Sequence, residues 1–105
     1  MRNLRWTLIH GEQLTPAHLA RMRDLGVSAG VQPRTTIMGG IFHRVHGDRA
    51  NTMPNFKAIQ ESGVTWGLGT DTFEVNQYRP FTTLYTAVTG KMVGGTVVKI
   101  GRAHV

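Results

Sequence analysis

Three polar side chains stand where runs of strand-forming residues stop. His10 follows Leu4–Ile9, Gln32 closes Val27–Gln32, and Asp71 follows Val64–Thr70. A neutral imidazole and a carboxylate are suitable ligands for a divalent metal such as zinc. The carboxylate of Asp71 could also take a proton from water that the cation has acidified. The same residues have plain structural roles open to them. A His before Gly can cap a strand end, and an Asp after Gly-Thr can form a turn or cap a helix.

The elements that would position these residues alternate. Leu4–Ile9 reads as a strand, ended by His10-Gly11. Thr15 then serves as N-cap and Pro16 as the first residue of a helix, with Leu19, Met22 and Leu25 on one side and Gly26 as its stop. Val27–Gln32 is a second strand, closed by Pro33. A long glycine- and histidine-bearing loop is expected over 34–52, a length that is uncommon inside compact domains and often functional. A helix follows over 54–62, with Phe56 and Ile59 inward and Gly63 as its end. Val64–Thr70 alternates as a third strand. Beyond a polar loop with Asn76 and Gln77, Pro80 opens a last helix that Gly90 ends. Its Phe81, Leu84, Tyr85 and Val88 fall at i, i+3, i+4 and i+7, an apolar stripe expected to face the core.

Strands alternating with helices predict parallel strands joined by helical crossovers. Two architectures meet that description: a small doubly wound sheet, which the length favours, and a slice of a larger (βα) barrel, which the strand-end residues favour. In both, active-site groups gather at the C-terminal ends of the strands.

Composition narrows the function classes. The 105 residues suffice for one small domain. There is no cysteine, so disulfides and thiolate metal sites are excluded. With no apolar run of membrane-spanning length and no apolar leader after Met1, the expectation is a cytoplasmic protein with no membrane partner. The formal charge of +6 raises nucleic acid as a partner. The arginines are scattered, however, and aromatic residues do not interleave with them, so no nucleic-acid partner is expected. The sequence contains no GxSxG, HExxH, P-loop or GxGxxG pattern. Among the other histidines, His18 is expected to be partly buried on the first helix. His43 and His46 stand at i, i+3 in the long loop, suited to a solvated or substrate-facing basic segment. A non-catalytic reading also stands: a small basic module binding an anionic partner through the His/Arg loop.

Several stretches, in order, resemble the C-terminal part of the barrel in the amidohydrolase 3 family, within the metal-dependent amidohydrolase superfamily. They are Arg5-Trp6-Thr7-Leu8-Ile9-His10, Leu25-Gly26-Val27, Val31-Gln32-Pro33, Gly47-Asp48-Arg49, Gly63-Val64 through Gly69-Thr70-Asp71, then Pro80 and Ala87-Val88-Thr89. The resemblance spans roughly Arg5 to Val98. It implies an α/β fold, a partial (β/α) TIM-type barrel of about three βα units over residues 1–99. It implies a hydrolase acting on carbon–nitrogen bonds other than peptide bonds, on a small-molecule substrate. A divalent metal, zinc by preference, would activate water, with His10 and Asp71 as ligands and Asp71 also as general base. One departure stands out: the family often carries a His two residues after the Gln-Pro, where this chain has Arg34 and then Thr35. Residues 100–105, Ile-Gly-Arg-Ala-His-Val, resemble a translated sequencing adapter and are expected to be an artefactual tail. A piece of a barrel is expected to be inactive alone and to aggregate or remain partly molten.

Overall fold

The computed structural model describes residues 2–72 and 78–91. Asn76, Gln77 and the 100–105 tail lie outside the described residues. The chain opens with a 3-10 turn, Arg2–Leu4, and continues as β1 (Thr7–His10), α1 (Pro16–Leu25), β2 (Ser28–Val31), α2 (Arg34–Ile37) and α3 (Gly39–His46). A second 3-10 segment, Gly47–Thr52, leads to α4 (Phe56–Glu61), β3 (Trp66–Leu68) and α5 (Pro80–Thr89).

The α1 helix shows how local chemistry sets an element. Thr15 Oγ1 accepts from the His18 N–H at 3.2 Å, and the Thr15 N–H donates to His18 Nδ1 at 3.3 Å. This reciprocal pair satisfies two donors that a helix start leaves orphaned, with His18 in the place Glu or Gln usually takes. His18 is therefore an exposed cap, not the partly buried residue expected from its position. At the other end Gly26 adopts φ 70°. Its N–H and that of Val27 return to the last turn, Val27 N–H donating to the Met22 carbonyl at 2.8 Å.

The three strands form one parallel sheet in the order β1-β2-β3. Leu8, Ala29 and Trp66 share one rung, and His10, Val31 and Leu68 another. Three strands are an open sheet rather than a closed barrel. Ala29 and Val31 meet Leu19 and Met22 of α1, Phe56 and Ile59 of α4, Val64 and Ala87 in a single core cluster. The Phe56 and Trp66 rings lie tilted with centroids 6.1 Å apart. The opposite face of the sheet is an open trough along β2 and β3 that includes Ser28, Gly30, Thr65 and Gly67.

Two further expectations fail. The 34–52 segment is not a loop but two helices and a 3-10 segment. Thr35, buried in α2, donates through Oγ1 to the Met53 carbonyl and ties the two ends of that segment together. The α5 stripe also faces the wrong way: Phe81, Leu84 and Tyr85 are exposed, while Thr83, Thr86 and Ala87 are buried. Small side chains let α5 lie close to α2, and no described element covers the aromatic side.

Candidate functional site

The C-terminal edge of the sheet carries all three strand-end residues. His10 is the last residue of β1, Gln32 directly follows β2, and Asp71 lies three residues beyond the end of β3. Two strand spacings separate β1 from β3, roughly 9–10 Å across the sheet.

Both outer residues sit on unusual backbone. Among the described residues only Arg5, His10 and Asp71 are non-glycine residues with positive φ, at 50°, 76° and 55°. That conformation costs an L-residue on the order of 1 kcal/mol, least for Asp and Asn. His10 shares a rung with buried Val31, yet its imidazole is about half exposed (53%), as is Leu8 two residues earlier on the same strand. For Asp71 the turn is held by the Thr72 N–H donating to Thr70 Oγ1 at 3.3 Å.

Gly11 makes the next step possible. With φ 66°, and with a hypothetical Cβ only 3.2 Å from Val31 Cγ2, it is a place where glycine alone fits without strain. The turn it starts brings Glu12 back onto its neighbour. His10 Nδ1 lies 3.3 Å from Glu12 Oε1. With the proton on Nδ1 donated to that carboxylate, Nε2 keeps its lone pair outward, the arrangement a metal-binding or proton-accepting imidazole needs. Glu12 is the side chain this turn brings to His10.

An open cleft of about 560 Å³ lies beside this pair, lined by residues of β1, the turn after it, α2 and α3, among them Leu8, His10, Glu12, Arg34 and Phe42. Asp71 is not part of that lining, and no hydrogen bond or ion pair joins it to His10. Gln32 Oε1 and Arg34 Nε are buried without a hydrogen-bond partner. The Gln32 side chain lies against Gly69, at the end of β3. His43 and His46 are on α3, where the His46 ring stacks on Phe42 with centroids 5.7 Å apart. They therefore belong to a helix rather than a loop.

A model of the amidohydrolase family matches residues 1–104. The chain belongs to that family. Membership places this amidohydrolase chain among the hydrolases of the metal-dependent superfamily. No curated protein and no solved structure matches it. Amidohydrolases commonly use divalent metals, and the donor types at this rim, one imidazole and two carboxylates, suit such an ion. Their number in one place does not: among the described residues no three His, Cys, Asp or Glu side chains gather closely enough to hold a cation. This stretch of the amidohydrolase thus presents a His10–Glu12 pair at the end of β1 and Asp71 beyond β3, two strand spacings away. Among the described residues no helix is long and apolar enough to cross a membrane.

Proposed function

We propose that this chain is a sector of a cytoplasmic (β/α) barrel hydrolase that cleaves carbon–nitrogen bonds other than peptide bonds in small-molecule substrates. In this reading His10 and Asp71 are donors for a divalent ion, zinc by preference, at the C-terminal rim. The observation that carries it is the backbone. Of the three described non-glycine residues held in the left-handed region, two, His10 and Asp71, have metal-ligand chemistry, and both lie at this rim. An observed outlier of this kind is a pointer to function.

The roles follow from the atoms. His10 offers Nε2 while Glu12 holds Nδ1 and so fixes the ring's tautomer and direction. A bound cation would supply acidification of water at the rim. The Asp71 carboxylate takes the proton from the attacking water and passes it to the leaving nitrogen. The remaining donors come from other strands of the barrel, against which the uncovered edge of β1 and the open face of the sheet would pack.

The test is made on the complete barrel, with the strands that supply the remaining donors restored, and combines its metal content with hydrolysis of a small amide. Asp71→Asn should lower kcat by about 100-fold or more, the range for loss of a positioned proton acceptor. His10→Ala should release metal. Full activity in Asp71→Asn would remove that residue from the mechanism, and unchanged metal content in His10→Ala would remove the imidazole from the ligand set.

A further inference from the structure

We infer that a second cavity, between the start of α1 and the segment ahead of α4, binds a phosphate group. The inference goes beyond the hydrolase reading above and does not rest on it.

The cavity holds about 350 Å³ and is lined by the turn ahead of α1, that helix's first turn, and residues between Arg49 and Asn55. No Asp or Glu is among the lining residues, and Arg49 gives it a positive charge. Neither of the ion pairs among the described residues includes Arg49. The Thr52 hydroxyl bonds to its backbone carbonyl and leaves the guanidinium alone. That fork of donors is available to a ligand.

Two helix caps decide which atoms the other polar side chains keep free. Asn55 Oδ1 accepts from the Ala58 N–H at 3.0 Å, so its acceptor is spent and the Nδ2 donors remain. His18 Nδ1 accepts from the Thr15 N–H at 3.3 Å, which puts the ring proton on Nε2, a donor. Thr15 Oγ1 is in turn taken by the His18 N–H. Folding thus consumes the acceptors of Asn55, His18 and Thr15. Donors remain on Arg49, Asn55 and His18, which come from three separate segments. The backbone at the start of α1 adds little, since Pro16 has no N–H and that of His18 is already bonded. A donor-rich, acid-free cavity calls for an oxyanion. Donors on three segments suit a tetrahedral ion, whereas one guanidinium fork would satisfy a planar carboxylate. The volume exceeds that of a bare phosphate, and Leu14 and Met53 give the remainder an apolar wall. The cavity therefore admits phosphate either free or on a short aliphatic body.

The test is equilibrium dialysis of the metal-free protein against labelled inorganic phosphate, with propyl phosphate as a competitor. Saturable binding is expected, and Arg49→Gln should weaken it about tenfold or more, the size of one lost charge-assisted contact. Asn55→Asp and His18→Glu are sharper, because each keeps the acceptor that caps its helix and exchanges a donor for an anion. Both should abolish binding while far-UV circular dichroism stays unchanged. His18→Gln keeps acceptor and donor alike and should bind within about threefold of the unaltered protein. Propyl phosphate competing more strongly than unlabelled phosphate assigns the ligand to an ester seated on Leu14 and Met53, and no such gain assigns it to the free ion. Absence of saturable binding by the unaltered protein overturns the inference, and that measurement needs no variant to fold. Binding that survives Arg49→Gln, or survives both acidic substitutions, overturns it as well.

Discussion

β1 and β2 are hydrogen-bonded neighbours that live in opposite surroundings. β2 is central, and its Ala29 and Val31 are buried under α1 and α4. β1 has the larger apolar side chains, Leu8 and Ile9, yet they are 46% and 67% exposed. The same contrast separates α1, whose Leu19 and Met22 are buried, from α5, whose Phe81 and Tyr85 face outward. Apolar pattern therefore tells which face an element can bury, while only the neighbouring elements decide whether it does. The most buried part of the molecule is the β2–α1–α4 wedge. β1 and α5 leave more apolar surface exposed.

Substitutions can break or sharpen that contrast. Phe56→Ala, in the wedge, should cost about 3–5 kcal/mol, because a fully buried ring leaves a cavity its neighbours cannot close. A loss below 1 kcal/mol in a denaturant titration would mean the wedge is not the core. Thr15→Ala should cost about 1 kcal/mol by removing the hydroxyl half of the α1 cap. His18→Ala should cost less than that, since the helix donors keep their threonine. Equal losses in the two variants would show that the imidazole matters as much as the hydroxyl. Smallest of all, Phe81→Ser or Leu84→Ser should change stability by no more than about 0.5 kcal/mol, as surface substitutions do. A loss of several kcal/mol there would show that the aromatic side of α5 is covered after all.

Much of the fold could be read from residue types because its signals were local. Thr15, Pro16 and Gly26 bracket α1, Gly63 and Gly90 follow the ends of α4 and α5, and the alternation of elements implied a parallel sheet. The 34–52 segment was misread because Gly39, Gly40 and Gly47 look like loop residues. Met38, Ile41, Phe42 and Val45 stood there at i, i+3, i+4 and i+7, a helical spacing that outweighs two glycines at a helix start. The direction of α5 could not be read at all. It depends on Thr83, Thr86 and Ala87 fitting closely against their neighbours, a tertiary fact that overrides the amphipathic stripe. At the rim, His10 and Asp71 were visible as chemical types at strand ends. The contact of Glu12 with His10 was not, since it depends on the left-handed turn at Gly11.

The glycines on the uncovered side of the sheet have a different lesson. A Cβ added at Gly67 would touch nothing within 4 Å, and one at Gly30 nothing nearer than 3.8 Å. Neither residue has the left-handed backbone that would require glycine. Each nevertheless weakens its strand by about 0.5–1 kcal/mol relative to alanine through the freedom it adds to the unfolded chain. Space on that face thus leaves room for an alanine at either position, which would firm the strand without a clash.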